Sequence, residues 1–308
     1  MPASVRGVAG CVRDVTLADR VPTVETLRRQ LDAVDYLADE GMATAMFCAV
    51  RLPQPLLLEG EAGVGKTEAA KALAVLLETP LVRLQCYEGI DAAEALYEWN
   101  YPQQLLAIRV AESSGGRLAT DDLFDEQFLI SRPLLRAIRL TGPRPAVLLI
   151  DEVDRADDEF EAFLFEMLAE SAVTIPELGT IHATLAPIVV LTSNRTRDLH
   201  DALKRRCLYH WIDYPTLERA VEIIRRRVRA STTSLAEQVA GAVQRLRSLD
   251  LQKPPGIAEA INWTLALELL GLARLDDDVT SATLGSVLKY REDIDVARDR
   301  GLAWVAGG

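Results

Sequence analysis

Residues 60–67 read Gly60-Glu61-Ala62-Gly63-Val64-Gly65-Lys66-Thr67, with Glu68 next. The spacing is G-x-x-x-x-G-K-[ST], a P-loop, and its chemistry is phosphate binding. Glycines let the backbone curl until successive N–H groups face phosphate oxygens. The start of a following helix adds partial positive charge. Lys66 is placed to reach the β- and γ-phosphates of a nucleotide, and the Thr67 hydroxyl to ligate Mg²⁺. The flanks fit this reading: Pro55-Leu56-Leu57-Leu58 precedes as a strand, and Glu68 to Leu77 follows as a helix. A glycine turn that matches by accident has no reason to carry both flanks.

A second constellation is Val147-Leu148-Leu149-Ile150-Asp151-Glu152. An apolar run ending in two acids reads as a buried strand that delivers carboxylates to the C-terminal edge of a parallel sheet, where ligands bind. Asp151 would hold Mg²⁺ through its water shell, and Glu152 would act as general base on an attacking water. The competing reading, two acids opening the next helix, loses weight beside the P-loop. Val189-Val190-Leu191-Thr192-Ser193-Asn194 ends another apolar strand in a polar amide. Asn194 is a candidate for orienting that water against the γ-phosphate, with Ser193 a weaker one; capping the next turn is the alternative. Lys204-Arg205-Arg206 precedes a further strand. An arginine there could stabilise charge on a transferring phosphoryl group from a neighbouring subunit. Arg206 is favoured and Arg205 stands second; a solvated basic turn is the rival.

Other chemistry-bearing residues read more plainly. Glu222 stands one helical turn before Arg225 and Arg226, so ion pairs on a helix face explain much of the run Arg225, Arg226, Arg227 and Arg229. His182, His200 and His210 lack metal-ligand spacing. Tyr87, Tyr97, Trp99 and Tyr101 form an aromatic cluster read as packing, with a partner-contacting surface as the alternative. Cys11, Cys48, Cys86 and Cys207 include no C-x-x-C pair and suit reduced thiols in a cytoplasmic protein. No apolar core lies between Arg6 and Arg13 to make a signal peptide. A net charge of -12 over 308 residues disfavours a protein dedicated to nucleic acid.

The elements that must position these groups follow from periodicity. Apolar residues at helical spacing predict a helix over Val24–Asp39 and another over Met42–Arg51. Five apolar runs of strand length follow: Leu56–Leu58, Leu81–Leu84, Ala146–Ile150, Ile188–Thr192 and Leu208–Ile212. Alternation with helices predicts an α/β fold with a parallel sheet. Phe160, Phe163, Leu164 and Met167 mark one face of a helix from Asp157. Beyond Tyr214-Pro215 only helical patterns remain: Thr216–Arg229, Ser234–Leu249, Gly256–Leu272 and Asp278–Lys289. The expected organisation is an N-terminal arm over 1–23, an α/β core over 24–214 and an all-helical domain over 215–308.

P-loop, strand with Asp-Glu, strand with Asn, arginine and then a helical lid: this order resembles the AAA+ ATPases. Ile150-Asp151-Glu152-Val153-Asp154-Arg155-Ala156 is similar to the acidic motif of their MoxR branch, and Val173-Thr174-Ile175-Pro176-Glu177 to that branch's β-hairpin. Glu177–Ile181, Leu191–Arg197, Lys204–His210 and Gln85–Asp91 resemble the CoxD-like accessory ATPase of carbon monoxide dehydrogenase maturation. The resemblance spans roughly residues 25–290. It implies an AAA+ core with a five-stranded parallel sheet, an insertion within 92–135 and a C-terminal helical lid. It further implies a ring, usually hexameric, with ATP and Mg²⁺ between subunits. The implied work is ATP-driven remodelling of a molybdenum-containing hydroxylase with a partner bearing a von Willebrand factor A domain. One departure stands out: many relatives carry a lid arginine against the γ-phosphate, and Pro254-Pro255-Gly256-Ile257-Ala258-Glu259-Ala260 has none.

Overall fold

The computed structural model describes residues 15–115 and 117–307. Cys11 and most of the expected N-terminal arm lie outside these residues. The part of the arm inside them is partly helical, over Val15–Arg20, with Leu17 buried. The next helix, Val24–Ala33, ends six residues short of the predicted Asp39. Asp35 adopts a left-handed backbone with φ of 59°, which no α-helix accommodates. Asp39 instead caps the following helix, Glu40–Arg51, by accepting from Met42 N–H at 2.7 Å.

The five predicted strands form one sheet. They are β1 (Leu56–Gly60), β2 (Leu81–Gln85), β3 (Val147–Asp151), β4 (Ile188–Ser193) and β5 (Leu208–Ile212), in the order β2-β3-β4-β1-β5. Pairing is parallel between β2 and β3, β3 and β4, and β4 and β1. Every residue of β1, β3 and β4 is buried. That burial on both faces is why these strands read as unbroken apolar runs. β2 lies at the edge and alternates: Val82 and Leu84 are buried, Arg83 and Gln85 are exposed. The loop and helix after β1 lead to α1 (Lys66–Leu77), and the turn after β3 leads to α2 (Asp158–Glu170). Asp157 caps α2 by accepting from Phe160 N–H at 2.8 Å, and Phe160, Leu164 and Met167 enter the core beneath the sheet.

The long connection after β2 carries its own small structure. Helix Ala92–Leu96 leads into an antiparallel pair, Tyr97–Trp99 with Leu129–Ser131, which brackets helix Tyr101–Ser113. Trp99 is buried edge-on against Tyr97 and Phe124, with ring centroids 6.0 and 5.2 Å away. Tyr87 and Tyr101 are exposed, so the aromatic cluster divides between packing and surface. A second hairpin pairs Ala172–Ile175 with Gly179–His182.

The described chain divides by contacts into two units. The first runs up to Val34 and continues through 38–59 and 69–210. The second comprises 35–37, 60–68 and 211–308. Its helices are α3 (Leu217–Arg227), α4 (Thr233–Arg247), α5 (Ile257–Leu269) and α6 (Asp277–Val287), followed by Arg291–Arg300 and Leu302–Ala306. They surround a core that includes Ile224, Val239, Trp263, Leu284 and Val305. The last two helices lie beyond the predicted pattern, which stops at Lys289. The phosphate-loop segment groups with these helices rather than with the sheet that precedes it in sequence.

Candidate active site

The phosphate loop adopts a backbone that its composition dictates. Gly63 and Gly65 have φ of 76° and 102°, values that side chains with a Cβ rarely take. Nothing stands within 4 Å of where a Cβ on Gly65 would project, so that side of the loop is open. Lys66 is buried, and its Nζ donates to the carbonyls of Gly60 and Glu61 at 2.6 and 2.7 Å. Glu68 pairs with Arg227, the third arginine of the basic run. Arg226 pairs with Glu222 at 2.7 Å, one helical turn back.

Within the same unit, the start of α5 lies against the loop. Ala258 N–H donates to the Gly63 carbonyl at 3.2 Å. A Cβ on Gly256 would stand 2.8 Å from the Ala62 carbonyl and 2.9 Å from Gly63. Glu259 accepts from Gly256 N–H at 2.8 Å and closes the helix N-terminus. Behind it, the Arg247 guanidinium lies over the Tyr214 ring at 4.1 Å and donates to the Pro255 carbonyl at 2.6 Å. Burial pulls the Arg247 pKa down, and the same cause pushes Tyr214 up.

The sheet edge gathers the predicted acids. Asp151 is 3% exposed. Its Oδ2 accepts from Arg83 Nε and Nη2 at 3.0 and 2.6 Å, and its Oδ1 from the Thr192 hydroxyl at 2.5 Å. Glu152 has φ of 55°, which breaks the strand and turns its side chain out of the sheet. Its Oε2 accepts from Gln85 Nε2 at 3.1 Å and pairs with Arg155 Nε at 2.8 Å. Its own N–H donates to the Thr192 hydroxyl at 2.9 Å. Asn194 stands one residue past β4, on the strand paired with β3. Its side-chain amide makes no hydrogen bond among the described residues, whereas Ser193 spends its hydroxyl on Arg195 N–H at 3.0 Å. The acids colour the whole edge: burial first, then the charges of Asp151, Asp154 and Glu152, push the Cys86 thiol up to about 12.

The structure therefore brings Asp151, Glu152 and Asn194 to adjacent strand ends. Arg205 and Arg206 form no ion pair or hydrogen bond with those three among the described residues. The Arg206 guanidinium stacks 3.6 Å from the Phe165 ring centroid, while the Arg205 side chain is 82% exposed. Both line an open cavity of about 460 Å³ with Pro53, Pro55, Leu168 and Leu203. No cluster of His, Cys, Asp or Glu with metal-site geometry occurs among the described residues. Sequence reasoning missed Arg83, Gln85 and Arg155, which contact the acids. The signal available for the first two was the polar alternation of β2.

Residues 55–207 match the family described as AAA domain (dynein-related subfamily). Protein NorQ of Paracoccus denitrificans is 24% identical over 279 residues, covering 87% of this chain and 92% of that protein. The chain is an AAA+ ATPase of the MoxR type. An uncharacterized protein of Staphylococcus haemolyticus is 24% identical over 221 residues, covering 70% of this chain and 76% of that protein. Among solved structures, the Holliday junction branch migration motor RuvB of Thermotoga maritima aligns with a TM-score of 0.42 at 17% identity, covering 85% of this chain and 68% of that one. For an AAA+ ATPase the reaction is hydrolysis of ATP. No helix among the described residues is long and apolar enough to cross a membrane.

Proposed function

We propose that this AAA+ ATPase is a cytoplasmic chaperone that spends ATP hydrolysis on remodelling or maturing a metalloenzyme. The client class favoured by its sequence motifs is a molybdenum-containing hydroxylase such as carbon monoxide dehydrogenase. The observation that carries the enzymatic part is the row Asp151, Glu152 and Asn194 on neighbouring strand ends, beside the strand that runs into the phosphate loop.

In this reading residues 60–68 cradle the phosphates, and Lys66 exchanges its loop carbonyls for phosphate oxygens. Glu152 accepts the proton of the attacking water. Asn194, with no partner for its amide among the described residues, orients that water. Thr67 and Asp151 each offer an oxygen donor of the kind Mg²⁺ prefers, and the Asp151 carboxyl is already held by the Arg83 guanidinium and the Thr192 hydroxyl. Bound there, the metal would neutralise charge on the β- and γ-phosphates. Arg206, or Arg205 in its place, would act on the nucleotide of the next subunit in a hexameric ring. A partner with a von Willebrand factor A domain would link that ring to its client.

The test is a trap. Glu152→Gln should retain ATP, arrest the cycle and hold the client. Mass spectrometry of what it retains should find a metalloenzyme and a von Willebrand factor A protein, both absent from a Lys66→Ala control. Retention of another enzyme complex would keep the remodelling reading and change the client. ATPase stimulation by DNA or RNA with steep salt dependence would replace it with a nucleic-acid motor, the reading the charge of -12 opposes.

A further inference from the structure

We infer that Asp154 is a positioning residue for hydrolysis: its buried carboxylate fixes the main chain that carries Asn194, and through it the direction of the Asn194 amide. This inference rests on the role given to Asn194 above.

Asp154 lies in the short turn Val153–Arg155, directly after Glu152. It is 2% exposed. Its Oδ2 accepts from Asn194 N–H at 3.2 Å, from Thr196 N–H at 2.8 Å and from the Thr196 hydroxyl at 2.7 Å. All three donors belong to one segment, the residues that follow β4. No lysine, arginine or histidine pairs with Asp154 among the described residues, and its Oδ1 is buried without a hydrogen bond. A buried carboxylate held only by neutral donors is costly. Two further acids, Asp151 and Glu152, act together with Asp154 on the nearby Cys86 thiol. This is a poor arrangement for stability alone, and it holds only while the Asn194–Thr196 segment keeps its present shape.

That shape is itself unusual. Arg195, between the two anchored amides, has φ of 56°, an uncommon conformation for a residue with a long side chain. The Asp154 bonds on either side and the Ser193 hydroxyl on Arg195 N–H hold it there. Because the Asn194 amide has no hydrogen bond of its own among the described residues, its direction depends on the main chain. The carboxylate thus ties the turn after the base-bearing strand to the end of the adjacent strand, so Glu152 and Asn194 keep a fixed relation.

The experiment is a double-mutant cycle on the full chain, read as turnover and, separately, as ATP affinity by calorimetry. Asp154→Ala should lower kcat by about 10²-fold, the scale of an ångström-level misplacement, with ATP affinity near that of the wild type. Asp154→Asn keeps an accepting oxygen and should recover most of the loss. On an Asn194→Ala background, Asp154→Ala should cost nothing further, because the group it positions is gone. Thr196→Ala removes one anchor at an exposed residue and should follow the same pattern more weakly. It carries the cycle if Asp154→Ala does not fold. Additive losses, or equal losses in affinity and kcat, overturn the inference while leaving Asn194 its role. Undiminished turnover in Asn194→Ala overturns both.

Discussion

Glu152 receives two donors on one oxygen, Gln85 Nε2 and Arg155 Nε, and so stands in a defined rotamer before any water reaches it. The neutral amide of Glu152→Gln preserves that shape but accepts no proton. ATP affinity should persist while turnover falls by about 10²–10⁴-fold, the usual contribution of a general base; unchanged turnover would place the base elsewhere. Asp151 depends on Arg83 in a different way. The arginine is half exposed, but the carboxylate is nearly sealed, and a sealed charge without its partner is destabilising. Arg83→Met should lower unfolding free energy by about 1.5–3 kcal/mol, the range for hydrogen bonds to charged groups. Urea denaturation in Mg²⁺-free buffer measures this directly.

At the scale of elements, α5 and the phosphate loop meet backbone to backbone. Gly256 is needed there for space, not for conformation: its φ of -85° suits any residue, but a methyl group would press on Ala62 and Gly63. Gly256→Ala must therefore move the loop. Overpacking costs about 1–3 kcal/mol, which corresponds to roughly five- to 150-fold in Kd. Nucleotide affinity should weaken on that scale with the helix content of the far-ultraviolet circular dichroism spectrum unchanged. The same contact bears on the departure noted in the lid. Where relatives place an arginine, this chain offers Glu259 folded onto its own helix start and an Ala258 N–H on the loop carbonyl. Lid and loop are joined through main chain instead of through a long cation.

For the whole molecule, two thiols contribute to alkaline behaviour, alongside Tyr87, Tyr97, Tyr209 and Tyr214, whose pKa values also lie above the ordinary value. Burial pushes Cys86 and Cys207 from 9.0 up to about 12. The folded chain thus keeps two protons that the unfolded chain releases first. The stability they contribute is complete below pH 9.0 and is lost as pH rises toward about 12. Denaturation midpoints should fall across that window, and replacing both cysteines by alanine should flatten the fall. Assembly supplies the other test at this scale. Lys66→Ala should bind no nucleotide, whereas Arg206→Ala should bind ATP without hydrolysing it. Mixing the two inactive proteins should restore part of the activity, since some interfaces then join an intact loop to an intact arginine. An arginine finger is worth about 10³–10⁵ in turnover, so even partial recovery is measurable. Mixed rings that stay inactive would count against sites shared between subunits. Loss confined to Arg205→Ala would assign the role to the other arginine of the pair.

The sequence by itself determined the loop, the acid pair and the amide, because each is a local signal: consecutive residues, or a strand with its own last residue. It determined the five strands as well, since burial on both faces leaves an unbroken apolar run. Helix ends were less legible, as at Ala33, where one left-handed residue outweighs a continuing apolar pattern. Only the tertiary structure decided what surrounds the acids. Arg83 and Gln85 serve them because β2 pairs with β3 in a register that sets Gln85 beside Asp151. A shift of one residue would turn both side chains to the other face. Asp154 meets Asn194 and Thr196 across 40 and 42 positions of chain, a separation that no periodicity records. The grouping of the phosphate loop with the C-terminal helices is of the same kind: it comes from close backbone approach at Gly63 and Gly256, which the sequence marks only as two glycines.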